Sequence, residues 1–168
     1  MCNIWSFGVV KLEKFSIDKI DRGILNLLQH DADLSVQHIA EQVGLTVTPC
    51  WRRIQRLQQK GVITRKVALL DAALLGLNLT VFVQVKAGRH DEQWLAEFAH
   101  HCAAFEEIVE FYRMSGEYDY MLKVVVADMQ RFDHFYKRLI KGMPMGDVTS
   151  SFAMEQIKYT TAQPLTGL

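Results

Sequence analysis

Apolar residues recur at helical spacing three times in the first third of the chain, and then give way to strand-like alternation. Ile20, Ile24, Leu27 and Leu28 mark one face of a first helix that Asp18 can cap and Gly23 weakens modestly. Val36, Ile39, Ala40 and Val43 mark a second. Ser35 caps its start, Leu34 and Ile39 sit at the staple positions around that cap, and Gly44 ends it. The third helix is expected to begin at Thr48-Pro49 and to stop at Gly61, with Cys50, Ile54 and Leu57 as its buried stripe. That stripe turns Arg52, Gln55, Arg56 and Gln59 outward and leaves Trp51 and Arg53 on its borders. The β-branched run Val62–Leu70 predicts an exit strand, and Asp71–Asn78, with Gly76, a connection.

The rest of the chain alternates in type. Leu79–Lys86 reads as a strand, and Asp91–Ala104 as a helix with Trp94, Leu95, Phe98 and Cys102 inward. Ile108–Ser115 and Tyr118–Val126 read as strands joined by a turn at Gly116-Glu117. Met129–Lys141 follows as a helix with Phe132, Phe135, Tyr136 and Leu139 inward, and Val148–Tyr159 as a last strand. The order β-α-β-β-α-β is the split βαβ pattern of ferredoxin-like folds, an antiparallel sheet with both helices on one face. Val81, Val83, Val85, Val124 and Val126 supply more apolar surface than one helical layer is expected to bury, which predicts a partner subunit on the sheet. The predicted fold class is α+β: a helix-turn-helix at residues 16–66, a connection at 67–78, a ferredoxin-like βαββαβ domain that oligomerises at 79–164, and a tail at 165–168.

Charge changes the picture of the first half. The chain as a whole is neutral, with 19 basic and 19 acidic residues. Between Glu41 and Asp71, however, it carries Arg52, Arg53, Arg56, Lys60, Arg65 and Lys66 and no acid. Residues 16–66 hold eight Lys and Arg against five acids, whereas 67–168 hold nine against thirteen, so only one half is built for phosphates. A basic helix following a capped helix and a turn fits the major groove, where Arg reads guanine and Gln reads adenine. Arg52 and Gln55 are the candidate base readers, and Arg53, Arg56 and Lys60 the phosphate contacts. Thr46, Thr48 and Trp51 complete the candidate DNA-binding set. The bland alternative is a solvated, Arg-rich helix.

Composition excludes several classes. At 168 residues and 49% apolar content, the chain suits one large domain or two small ones with packed cores. Three cysteines at unrelated spacings give no disulfide framework or paired metal knuckle, which points to a reducing compartment. The apolar runs are strand-sized and the start MCNIWSFGVV lacks the marks of a secretion signal, so the expected location is cytoplasmic, with no membrane partner. Residues 1–15 join no periodic pattern and are expected to form a flexible extension. His100, His101 and Cys102 are adjacent on a helix and do not converge on one metal; Glu106, Glu107 and Glu110 lack an accompanying nucleophile. No catalytic residue, metal site or cofactor is assigned. The competing reading is a ferredoxin-like small-molecule-binding protein or enzyme without DNA-binding function, but the chain has no Gly-rich phosphate loop or nucleophile elbow.

The segments IDKIDRGILNLLQHDADLS, TPCWRRIQRLQQKGVI, LLDAALLGL, RMSGEYDYMLKV and SSFAMEQIK together resemble the Lrp/AsnC, or feast/famine, transcriptional regulators over residues 16–164. Within that family the chain is most similar to a cysteine-responsive branch. The resemblance implies that residues 16–66 form a winged helix-turn-helix, 67–78 a hinge and 79–164 a ligand-sensing and oligomerisation domain, with double-stranded DNA as a partner, a homodimer that builds octamers, and a small amino acid as effector, bound at interfaces between sensing domains. It makes Gly116, Tyr118 and Asp119 of the turn SGEYDY candidate pocket residues, with Asp119 the natural partner of an ammonium group. By the same resemblance Met129, Ser150, Ser151, Phe152 and Ala153 join the candidate effector site, while Glu117-Tyr118 departs from the family's usual residues.

Overall fold

The structure, a computed structural model, describes residues 16–89 and 91–167. The expected extension at 1–15 lies outside them. The chain folds as two compact units, residues 16–68 with 159–167, and residues 69–158.

The first unit packs three helices, α1 (Lys19–His30), α2 (Val36–Val43) and α3 (Val47–Gln59). Asp18 caps α1 in a reciprocal capping box with Asp21. The Ser35 hydroxyl accepts the His38 N–H at 3.1 Å, and Gly44 closes α2 in the left-handed conformation at φ 69°. Gly23 has a packing reason: a Cβ there would lie 3.2 Å from Val43 Cγ1, so its absence lets α1 and α2 approach. Ile24, Ile39, Cys50 and Leu57 are buried at the centre, as the periodicity predicts.

Two expectations for this unit are corrected. The third helix starts two residues early: Thr46 is the N-cap and makes no side-chain capping bond, while Pro49 sits in the first turn, where its missing N–H costs nothing. Residues 62–70 form no strand. The N–H groups of Val62 and Ile63 bond back to Leu57 O at 2.9 and 3.2 Å, their side chains join the helical core, and the chain beyond pairs with no strand among the described residues. Asp71 then organises a turn by accepting the N–H groups of Ala73 and Leu74 at 2.9 and 3.1 Å.

The second unit contains β1 (Leu79–Ala87), α4 (Glu92–Ala103), β2 (Ile108–Arg113), β3 (Tyr120–Val126), α5 (Met129–Lys141) and β4 (Met145–Phe152). All pairings are antiparallel in the order β2-β3-β1-β4, the ferredoxin-like arrangement. Val81, Val83, Val85, Leu122 and Val124 are fully buried together with Phe98, Phe135 and Leu139 of the helices. Trp94 stacks on Phe98 at 4.9 Å, and Phe98 meets Tyr120 and Phe111 edge-on.

This packing overturns the argument from uncovered valines. Strand alternation places all five on one face, and the aromatic residues of α4 and α5 are large enough to cover them. The opposite face presents Thr80, Phe82, Gln84, Lys86, Met121, Lys123 and Val125, all half-buried. The last strand also differs from expectation, running Met145–Phe152 instead of Val148–Tyr159, because its register against β1 ends at Val81↔Phe152. Past that point Met154 and Ile157 are 98% and 90% exposed.

Candidate DNA interface and effector site

Helix α3 buries Cys50, Ile54 and Leu57 and exposes Thr46, Thr48, Trp51, Arg52, Arg56 and Lys60; Gln55 and Arg53 are half-buried. Its basic residues divide into two groups. Asp21, on the inward side of α1 one turn before Ile24, is fully buried. Arg53 Nη1 donates to Asp21 Oδ1 at 2.9 Å and to Asp18 Oδ2 at 2.6 Å, and Arg56 Nη2 donates to Asp21 Oδ2 at 2.5 Å. The Asp21 N–H and the Arg53 guanidinium hold the Asp18 carboxyl below the usual carboxylate range, and the same ion pairs raise Arg53 further above its already basic value. Arg53 and Arg56 are therefore anchored to α1. The other group, Arg52 and Lys60, stands with Trp51 on the exposed surface of the helix.

The carboxylate under the recognition helix was missed by the sequence reading, though its signal is present. Asp21 falls on the apolar stripe of α1, three residues before Ile24, and a charge on a buried stripe requires a partner.

The effector candidates separate along the sheet. The Asp119 N–H donates to Val85 O at 3.0 Å and its Oδ2 accepts the Ala87 N–H at 2.8 Å, so the turn sits at the far end of β1. Tyr118 reaches across to Thr149, with 2.8 Å between the hydroxyls, and Lys86 Nζ lies 5.0 Å from its ring centroid. Ser150 and Ser151 pair with Val83 and Phe82 in mid-strand, Phe152 pairs with Val81, and the Ala153 N–H donates to Thr80 O at 3.0 Å. Met129 opens α5 shortly after Val126, which pairs with Leu79. Four residues of extended chain, about 13 Å, separate the Val81 end from the Val85 end. Within one chain, Asp119 and Met129 do not share a pocket. Gly116 is exposed in the turn at φ 152°.

The remaining chemical candidates have structural surroundings. Cys102 is buried, which pushes its thiol up to about 12, and Cys50 is raised by burial as well. His101 Nε2 lies 2.9 Å from Leu139 O, with the ring edge-on to Phe105, while His100 is exposed. No helix among the described residues is long and apolar enough to cross a membrane.

Comparison with known proteins finds one family model in the N-terminal part of the chain and another in the C-terminal part. Residues 17–64 match the winged helix-turn-helix DNA-binding model, and residues 80–163 match the Lrp/AsnC ligand binding domain. The chain belongs to the Lrp/AsnC family of transcriptional regulators. It is 53% identical over 150 residues to the DNA-binding transcriptional activator DecR of Escherichia coli K12, covering 89% of this chain and 99% of DecR. It is 41% identical to the glutamate uptake regulatory protein of Zymomonas mobilis, covering 89% of this chain and 91% of that one. An AsnC family regulator from Agrobacterium tumefaciens superposes with a TM-score of 0.85 at 52% identity, over 88% of this chain and 97% of the other. A transcriptional regulator from Neisseria meningitidis, solved with L-Met, superposes with a TM-score of 0.86 at 32% identity, over 90% and 99% of the two chains. As a member of this Lrp/AsnC family, the chain is a DNA-binding transcriptional regulator with a C-terminal ligand-binding domain.

Proposed function

We propose that this Lrp/AsnC regulator reads its operator through the exposed edge of α3 and changes its DNA binding when a small amino acid, cysteine first among them, occupies its C-terminal domain. The observation that carries the DNA reading is the division of the basic residues. Arg52 and Gln55 contact base edges, Lys60 contacts phosphate, and Thr46, Thr48 and Trp51 line the approach, while Arg53 and Arg56 set the tilt of the helix from Asp21. This revises the assignment of Arg53 and Arg56 as phosphate contacts. The protein is cytoplasmic and is not an enzyme.

The effector reading is supported by the L-Met bound to the Neisseria relative and by the separation of the candidate residues. Gly116, Tyr118 and Asp119 of one copy and Met129, Ser150, Ser151, Phe152 and Ala153 of another complete a pocket that one chain leaves divided. A homodimer building toward an octamer meets that requirement, and the exposure of Leu70, Leu74, Met154 and Ile157 at 74%, 87%, 98% and 90% gives it apolar surface to bury. Ligand acts through a difference in affinity between assembly states, which changes how helix-turn-helix pairs are spaced on DNA. The test is a gel shift against the DNA upstream of the protein's own gene, with and without each amino acid. Specific retardation altered by cysteine or another small amino acid is expected; retardation equal to that of random DNA overturns the DNA reading, and indifference to every amino acid overturns the effector reading.

A further inference from the structure

One concavity of the second unit lies away from the candidate effector turn. A groove of about 900 Å³ opens where the end of β3, the loop after α4 and the outer flank of α5 meet. Its volume lies in the range of small-molecule sites. Arg131, His134 and Arg138 project into it from α5 at spacings of three and four residues, which place them on one helix face. Glu107 faces them and is ion-paired with Arg138. Leu77 and Val125 add apolar lining.

The charges in this groove are not fully matched. Glu107 Oε2 is buried with no hydrogen-bond partner among the described residues. A carboxylate has about four lone-pair positions, and an ammonium can fill the unused ones once the half-exposed Arg138 swings aside. Arg131 uses its backbone N–H in the Asp128 cap, and its side chain lines the groove together with His134, so both can meet an incoming anion. The carboxylate wall disfavours polyphosphates and nucleic acid, and the guanidinium groups disfavour a metal cation. A small molecule with one ammonium and one carboxylate satisfies both walls.

We propose that this groove is a second ligand site, formed within one chain, that binds an amino acid as its zwitterion. The ammonium pairs with Glu107, the carboxylate with Arg131 and His134, and a short or aliphatic side chain lies against Leu77 and Val125. The proposal rests on the amino-acid reading above for its ligand class, and places that ligand at the opposite end of β3 from Asp119.

The experiment uses the full-length protein. A thermal-shift panel of the twenty amino acids selects the tightest ligand, and calorimetry then compares parent, Glu107→Gln, Arg131→Ala and the turn variant Tyr118→Phe. Both groove variants are expected to weaken one binding event tenfold or more, Tyr118→Phe to leave that event unchanged, and the His134 ring signals in NMR to move on addition of ligand to the parent. Arg131 is exposed, so Arg131→Ala stays informative if Glu107→Gln folds poorly, which circular dichroism reports. Binding that is unchanged in Arg131→Ala overturns the groove while leaving the amino-acid reading standing. Absence of binding to any amino acid in the parent overturns both.

Discussion

The two units treat buried charge in opposite ways. The DNA-binding unit is small, and it buries a carboxylate, Asp21, beneath two arginines of its recognition helix. The ligand-binding unit fills its centre with valines and stacked aromatic rings, and keeps its ion pairs, such as Lys123 with Glu110, outside that core. A buried ion pair adds little net stability against an apolar replacement, but it fixes geometry, because a displaced guanidinium leaves a charge stranded. A helix that must present Arg52 at a defined angle gains from a polar anchor. A sheet that must hold a binding face flat gains more from close packing.

The comparison is broken most severely in the aromatic core. Phe135 is fully buried, with its ring 5.4 Å from that of Phe105, so Phe135→Ala is expected to destabilise the second unit by about 3–5 kcal/mol. Urea unfolding followed at Trp94, with Trp5 and Trp51 replaced by Phe, checks this, because Trp94 lies within that core. The helical signal of the first unit is expected to persist to higher urea.

Asp21→Asn comes next. It keeps the shape of the side chain and removes the charge, so two arginines lose their shared partner at a cost of about 1.5–3 kcal/mol. Operator affinity is expected to fall with stability, since the anchor of α3 loosens. A variant that melts as the parent does would show that Arg53 and Arg56 find other partners.

The difference between the units also governs what was legible in the sequence. The inward faces of β1 and β3 follow from alternation alone, because packing on one face enforces a period of two. Helix boundaries in the first unit followed from caps at Asp18 and Ser35, but the recognition helix did not, because Thr46 and Thr48 both precede Pro49 and sterics admit either start. Charge patterning sees the sign of Arg53 and Arg56 and not their partner; the partner, Asp21, lies over thirty positions away in sequence. The spread of the candidate effector residues was illegible for a related reason. A motif places side chains in one list, whereas the register of β1 with β3 and β4 spreads them along the strand, with Asp119 beside Val85, Ser150 and Ser151 at mid-strand and Phe152 beside Val81.

Arg52→Ala sharpens the comparison from the DNA side. Arg52 is exposed, so its loss is expected to weaken operator binding by about 1–3 kcal/mol with no change in melting, whereas Arg53→Ala should lower both. Lys60→Ala is expected to reduce the slope of log affinity against log salt by about 1 and to leave sequence preference alone. Titration of operator and random DNA at three salt concentrations separates the cases. Equal losses of specificity in Arg52→Ala and Lys60→Ala would overturn the division of the helix.

The smallest expected effect is titration at the outer carboxylates. The Asp21 N–H and Arg53 lower the pKa of Asp18 in the folded chain, and Lys123 and the Tyr112 hydroxyl lower that of Glu110. A lowered carboxylate contributes stability above its unfolded value and loses it as pH falls through the folded one. For both Asp18 and Glu110 the loss therefore falls below the ordinary carboxylate range. Both groups are more than a third exposed, at 49% and 39% of the side chain, so solvent screening keeps each effect small. Acid is therefore expected to remove a small contribution from each unit, Asp18's from the DNA-binding unit and Glu110's from the ligand-binding unit. Asp18→Asn should flatten the acid limb of the first unit alone and Glu110→Gln that of the second, in melting curves collected from pH 6 to pH 3. An identical acid response in both variants would place the titration elsewhere in the molecule.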